Sequence, residues 1–492
     1  MERLHDACGI VGIYLQEHDE HIDVRNYLTL ALTSLQHRGQ ESAGIAVYDG
    51  NGKIATRVGM GKVREVFADS GAELPPTSCG IGHVRYSTTG SSCVENAGPF
   101  VVGEGHIYPG AIAVAHNGNL VNGDRLRAQF PPGLLNSTTD SEAIALLLLF
   151  SEGGTLRERL IETIPFLQGA YSLVILSEGK LFAMRDPWGM RPLCLGQIGK
   201  NWMVASESCA LDRVGAVFVR EVRPGELITI DQHGLHTEIL FQEPRHALCV
   251  FEYIYFSDAT SSLNNRYVYE VREQLGRELA REHPVEADIV VPVPDSSIPA
   301  ALGYSTASNI PYGQAIIKNR YADRTFIKPD QRLRQLEVDL KFNFVKSKIA
   351  GARLVIVDDS IVRGNTMKRL VAALRHQGAK EIHLRSSAPP LRHPCYFGID
   401  IPREEELIAA GRSVQEIADY IGVDSLGYLS LEGLGKALRV VKDDINLDDA
   451  AAIASLHAEC CYGCMHTAGW PFDPAKPPLL APVRNEKLLR VS

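Results

Sequence analysis

Leu354-Val355-Ile356-Val357-Asp358-Asp359-Ser360-Ile361-Val362-Arg363-Gly364-Asn365-Thr366 decides how the second half of this 492-residue chain folds. Four consecutive aliphatic residues with no polar alternation specify a strand buried on both faces, the kind found in parallel sheets. Two carboxylates end the run, a short polar loop follows, and a helical pattern begins. Met367, Leu370, Val371 and Leu374 fall on one face of that helix, and Gly378 stands where a helix stop is expected. In open α/β sheets, ligands collect outside the carboxyl ends of the strands, at strand-to-helix turns. The backbone N–H groups of Gly364 to Thr366, with the helix dipole behind them, favour a phosphate. Asp358 and Asp359 suit ribose hydroxyls or a magnesium ion instead. An isolated Asp-Asp pair is only an acidic turn after a core strand in roughly half of cases. The Walker pattern G-x-x-x-x-G-K is absent.

Outward from this stretch, the length points to two large domains. With 45% hydrophobic and 22% charged residues, the chain has the balance of a soluble globular protein. The longest apolar run, Ala143 to Phe150, is too short to cross a bilayer. Met1 to Ala7 carries Glu2, Arg3, His5 and Asp6 and has no apolar centre, so it does not read as an export signal. A cytoplasmic protein with no membrane partner is expected. The net charge of −9 argues against non-specific nucleic-acid binding, so an anionic substrate must be held by local basic residues. The ten cysteines are irregularly scattered, which makes a disulfide framework unexpected and favours metal or catalytic roles.

As a whole string, Leu354 to Thr366 resembles the signature of type I phosphoribosyltransferases, which bind phosphoribosyl pyrophosphate (PRPP). The resemblance implies that Asp358, Asp359, Ser360, Arg363, Gly364, Asn365 and Thr366 hold PRPP, although Asn365 stands where the pattern has Thr. Arg266 to Glu282 reads as an amphipathic helix and Asp288 to Pro294 as a second buried strand, ending in Asp295-Ser296-Ser297. By resemblance this turn lies over the pyrophosphate, and Ser296 joins Asp358 and Asp359 as an oxygen ligand to magnesium. Ile317-Lys318-Asn319-Arg320-Tyr321-Ala322-Asp323-Arg324-Thr325-Phe326 is a charged run, which by itself is more often a solvated face. Within the family frame it is the loop that closes over PRPP, with Lys318 and Arg320 pairing with phosphate.

The first half carries a different set. Ala7-Cys8-Gly9-Ile10-Val11-Gly12-Ile13 is β-like and starts on a Cys; alone, that Cys is a small buried hydrophobe. Four further pieces follow in order: Leu35 to Gly44, Gly82-His83-Val84-Arg85-Tyr86-Ser87-Thr88, Ala115-His116-Asn117-Gly118-Asn119-Leu120 and Ser137-Thr138-Thr139-Asp140-Ser141-Glu142. Together they resemble the N-terminal-nucleophile glutaminase domain of class II glutamine amidotransferases, an αββα sandwich. A thiol is a good nucleophile for an amide. With Met1 to Ala7 removed as a propeptide, the α-amino group of Cys8 (pKa ~8) is matched to the thiol (~8.5) and serves as its base. The resemblance assigns the oxyanion hole to the Asn117 side chain and the Gly118 N–H, each donor contributing ~3 kcal/mol. Arg85 then pairs with the α-carboxylate of glutamine and Asp140 with its α-ammonium. Asn117-Gly118 is also the commonest hairpin-turn dipeptide, and a tight turn presenting its N–H groups satisfies both readings.

Cys249, Cys395 and the pair Cys461-Tyr462-Gly463-Cys464 remain. A lone C-x-x-C is equally a zinc half-site or a redox pair. By resemblance the four thiols hold a 4Fe–4S cluster, with Cys460 an extra thiol beside them. Cys79, Cys93, Cys194 and Cys209 are core or near-core residues.

In this order the two halves resemble the glutamine PRPP amidotransferases, of the iron–sulfur type with an N-terminal propeptide. The expected divisions are 1–7 propeptide, 8–243 glutaminase, 244–475 phosphoribosyltransferase (a doubly wound parallel sheet) and 476–492 tail. The implied reaction hydrolyses glutamine at Cys8 and delivers the ammonia to PRPP, giving 5-phosphoribosylamine, glutamate and pyrophosphate, the first step of purine synthesis. Magnesium, purine nucleotide inhibitors and a homotetramer are implied as well. Class II amidotransferases making glucosamine phosphate or asparagine share the first half and lack the PRPP motif. A PRPP-sensing regulator with a vestigial glutaminase is disfavoured by the intact Cys8, Arg85, Asn117, Gly118 and Asp140.

Overall fold

The computed structural model describes residues 8–16, 23–68, 73–86, 92–103, 110–241, 246–319, 342–401, 403–439 and 455–478. In the first half, two antiparallel sheets lie face to face. One contains β1 (Gly9–Tyr14), β2 (Ser42–Tyr48), β3 (Ile54–Met60), β4 (Cys79–Arg85), β9 (Cys194–Ile198), β10 (Asn201–Ala205) and β11 (Val217–Glu221), in the order β11-β9-β10-β1-β4-β2-β3. The other contains β5 (Phe100–Val102), β6 (Ile112–Leu120), β7 (Gly169–Ser177), β8 (Lys180–Arg185), β12 (Glu226–Asp231) and β13 (Gly234–Ile239), in the order β13-β12-β8-β7-β6-β5.

The core between the sheets is made of alternate strand residues, as a pleat requires: Ile10, Ile81, Ala113, Ala115, Val174, Val204 and Ile228. At Gly12 a Cβ would fall 2.7 Å from Val174 Cγ1, so the missing side chain permits this close approach. Helix Val24–Ser34 covers the outside of the first sheet through Leu28, Ala31 and Leu32, capped by the Asp23 side chain. Helices Asp140–Phe150 and Leu156–Thr163 cover the second. The layers are therefore α, β, β and α. After Pro224-Gly225 the chain forms the β12–β13 hairpin.

In the second half, strands Ile289–Pro292, Arg353–Asp358, Glu381–Ser386 and Ser425–Tyr428 form a parallel sheet in that spatial order. Val290, Val355 and Val357 face one core with helices Val268–Glu282 and Ile298–Ser308. Leu354 and Ile356 face the other, with helices Asn365–His376 and Val414–Ile421. This two-sided burial is why the run Leu354–Val357 has no polar alternation; each side chain is 0% exposed and contributes roughly 1.5–3 kcal/mol. The helix expected over Arg266 to Glu282 begins at Val268, because Arg266–Tyr267 pairs with Ser262–Leu263 in a short hairpin. Met367, Leu370, Val371 and Leu374 are the buried face of Asn365–His376, and Gly378 follows it at φ +92°. No helix among the described residues is long and apolar enough to cross a membrane.

Candidate active sites

The first site lies where β1 begins and β4 and β6 end. Cys8 is half-buried, and its Sγ lies 3.9 Å from the Tyr86 carbonyl oxygen. Burial pushes its thiol pKa up, Arg85 and Arg38 draw it down, and Asp140 pushes it further up. Three charged groups thus act on this sulfur. Arg85 ends β4 and is buried opposite Ser42. Asp140 opens helix Asp140–Phe150; its carboxylate accepts the Leu120 N–H at 2.9 Å and stands 3.5 Å from His116 Nδ1. Burial alone would raise the Asp140 pKa, but His116, Leu120 and Ser141 outweigh it and the net shift is downward. Asp140 therefore stays ionised near neutral pH.

Asn117 and Gly118 depart from expectation. They lie inside β6, in register with Ser172 and Tyr171 of β7, and form no turn. Nine-residue pairing with β7 overrides the local Asn-Gly preference. Asn117 is 0% exposed, yet neither polar atom of its side chain is hydrogen-bonded among the described residues. A buried amide of this kind is costly unless it serves something else. Gly118 has φ +153°, and a Cβ there would fall 2.0 Å from the Ala170 carbonyl oxygen. Beyond β6 opens a cavity of about 530 Å³ lined by Asn119, Arg127, Asp140, Tyr396, Trp470 and Asp473.

The second site is the turn after strand Arg353–Asp358. Ser296 Oγ donates to Asp359 Oδ2 at 2.6 Å, and Ser360 Oγ to Asp359 Oδ1 at 2.7 Å. The Asp359 N–H donates to Asp358 Oδ1 at 3.0 Å. The two expected strand-end turns thus meet. Gly364 precedes the helix at φ +77°, and a Cβ would strike Ile408 Cδ1 at 2.4 Å. Asn365, the departure from the Thr pattern, has a use here: its Oδ1 accepts the Tyr420 hydroxyl at 2.7 Å, tying the first helical residue to helix Val414–Ile421. Asp358, Asp359, Ser360, Gly364 and Thr366 line one cavity. Lys318 instead pairs with Asp295 at 2.8 Å, and Arg363 with Glu406 at 2.7 Å. Arg320 lies outside the described residues.

The four cysteines from three distant segments also meet. Cys249, Cys395, Cys461 and Cys464 line a narrow apolar cavity with Met190, Phe397 and Trp470. Cys460, one residue from Cys461, is buried toward Tyr253 instead. Among the described residues, no group of three or more His, Cys, Asp or Glu side chains is arranged to hold a metal ion, neither at these thiols nor at the Asp358–Asp359 turn.

Residues 99–213 match the glutamine amidotransferase domain family, and residues 263–395 the phosphoribosyl transferase domain family. An amidophosphoribosyltransferase of Methanothermobacter thermautotrophicus is 47% identical over 89% of this chain and 92% of its own length. The chain belongs to the amidophosphoribosyltransferase family. The Bacillus subtilis relative is 43% identical over 91% of this chain and 93% of its own. A solved structure of glutamine PRPP amidotransferase from B. subtilis, complexed with ADP and GMP, superposes with a TM-score of 0.84 at 41% identity, covering 94% of this chain and 96% of that one.

As an amidophosphoribosyltransferase, the chain catalyses glutamine-dependent amidotransfer to PRPP, a step of purine biosynthesis, and its two-domain α/β fold is that of the family. Sequence reasoning missed a buried ionic group joining the halves: Arg38, Arg191, Glu207 and Glu252, each at most 1% exposed. Its signal was a lone carboxylate in the apolar string Phe251-Glu252-Tyr253-Ile254-Tyr255-Phe256. The wall that Trp470 and Asp473 give to the 530 Å³ cavity was also missed, since no local pattern carries it.

Proposed function

We propose that this amidophosphoribosyltransferase hydrolyses glutamine at Cys8, within a glutaminase domain of residues 8–243, after removal of a propeptide of residues 1–7. The observation that carries the reading is that Cys8 is flanked by a buried cation, Arg85, one residue past Val84 opposite Gly9, and by a buried anion, Asp140. That pair matches the α-carboxylate and α-ammonium of a glutamine whose side-chain amide reaches the thiol. The freed α-amine of Cys8 takes the thiol proton, sulfur adds to the amide carbon, and Asn117 and Gly118 donate to the oxyanion. The unpartnered Asn117 amide supports this role. Ammonia leaves, and water hydrolyses the thioester to glutamate.

In residues 244–475, with 476–492 as tail, the ammonia displaces pyrophosphate from C1 of PRPP. Asp358 and Asp359 hold the ribose hydroxyls, while Ser360 and the Gly364–Thr366 backbone hold phosphate, with Arg363 beside them. Lys318 and Arg320 pair with pyrophosphate, which asks Lys318 to exchange Asp295 for substrate. The donor set at Ser296, Asp358 and Asp359, two carboxylates and a hydroxyl, fits a magnesium ion that keeps waters and substrate oxygens in its shell. When bound, magnesium supplies positive charge to the leaving pyrophosphate. The four thiols on one cavity match a 4Fe–4S cluster in donor type and number; they would draw together on loading, and the cluster would tie the segment after Cys460 to the core. ADP and GMP in the B. subtilis complex support purine nucleotides as inhibitors here. A homotetramer and a cytoplasmic location complete the reading.

The test compares Cys8→Ala with the unaltered enzyme. The variant loses PRPP-dependent glutamate release and keeps phosphoribosylamine synthesis from free ammonia. Loss of both activities in a folded variant overturns the two-site division.

A further inference from the structure

A nucleophile in the first half is braced by a carboxylate from the second. Arg38 Nε donates to the backbone carbonyl of Cys8 at 3.1 Å, so the position of the nucleophile depends on that of the guanidinium. The other end of Arg38 is gripped by Glu252, with Nη1 to Oε2 and Nη2 to Oε1 both at 2.9 Å, and by Glu207. Glu252 also accepts Arg191 Nη1 at 3.2 Å and Ser257 Oγ at 2.7 Å. Each of its oxygens therefore has two donors, which fixes the carboxylate in one orientation. Glu252 begins the irregular helical turn Glu252–Phe256. That turn is held from its far side by Arg272, whose guanidinium donates to the carbonyls of Tyr253 (2.7 Å), Tyr255 (2.9 Å) and Ser257 (2.7 Å).

Burying two carboxylates and two guanidinium groups is expensive and rarely a net gain in stability, so this group calls for another explanation. We propose that Glu252 is a positioning residue of the glutaminase centre, setting the Cys8 main chain through Arg38. It follows that the nucleophile is correctly placed only while the second half is packed against the first. The proposal rests on Cys8 being the nucleophile.

Glu252→Gln keeps the shape and removes the charge that holds both guanidinium groups. In the full-length enzyme, the expected result is a tenfold or greater fall in kcat for glutamine hydrolysis, with KM for glutamine changed less than threefold, because Arg85 and Asp140 still grip the substrate. Alkylation of Cys8 by iodoacetamide slows in parallel, synthesis from ammonia stays within twofold, and Glu252→Asp recovers part of the lost kcat. Unchanged kcat and alkylation overturn the proposal, as does an equal loss of glutamine- and ammonia-dependent synthesis, which would make Glu252 a general strut. Should Glu252→Gln fail to fold, Ser257→Ala removes one bond to Oε2; a two- to fivefold fall in glutaminase kcat supports the proposal and no change overturns it. Cys8→Ala, run alongside, separates the two readings: glutamine-dependent activity surviving in that variant sinks the nucleophile assignment itself.

Discussion

Cys249 pairs in parallel register with Cys461, 212 positions later in the chain. This two-residue bridge, Leu248–Cys249 against Cys460–Cys461, fastens the segment after residue 455 to the start of the second half. It also turns Cys249, Cys461 and Cys464 toward the same cavity as Cys395, while Cys460 stays out of it. The neighbouring segment then covers the cavity beside Asp140 through Trp470 and Asp473.

Protein purified without oxygen should accordingly be brown, with about four iron and four sulfide per chain. Cys460→Ser should keep the colour and Cys461→Ser lose it, along with thermal stability, because the metal's binding energy adds to folding energy. Colourless, active protein containing zinc would overturn the iron–sulfur assignment.

Maturation is checked by intact mass. The active chain should begin at Cys8, since its α-amine is the proposed base. Full activity with Met1 to Ala7 still attached removes the amine from the mechanism.

Asp358→Asn combined with Asp359→Asn should lower glutamine- and ammonia-dependent synthesis together, by about 10²-fold or more, because both need bound PRPP. Ser296→Ala, which removes the 2.6 Å bond to Asp359, should act in the same direction and more weakly. Retained ammonia-dependent synthesis in the double variant would exclude this turn from the PRPP site.

Stability should carry a mark of His83. Burial, then Arg85 and His116, lower its pKa to about 3. Below pH ~6.5 the unfolded chain binds a proton at this position and the folded one does not, so stability is lost as pH falls from ~6.5 toward 3. Between pH 7.5 and 5 the loss is about 2 kcal/mol, 1.5 pH units at ~1.36 kcal/mol each. His83→Gln lacks this term, so its melting temperature should drop less over the same interval. Equal drops would mean that His83 is protonated in the folded state.

The sequence by itself determined the elements with strong local causes. The unbroken run Leu354–Val357 demanded two covered faces, and the 3.6-residue spacing from Met367 to Leu374 demanded a helix lying on one of them. Short motifs picked out Cys8, Arg85, Asn117, Asp140 and the Asp358 turn because their chemistry sits in contiguous residues. Only the tertiary structure decided that Asn117-Gly118 runs straight through a strand, since nine residues of β7 outweigh one dipeptide's turn preference. Family resemblance had grouped Cys249, Cys395, Cys461 and Cys464; the physical cause that leaves Cys460 out, one residue of strand alternation, belongs to the tertiary structure. It alone set Glu252 against Arg38, 214 positions apart, because a buried charge takes its partner from whatever the fold brings within 3 Å, and no spacing along the chain records that distance.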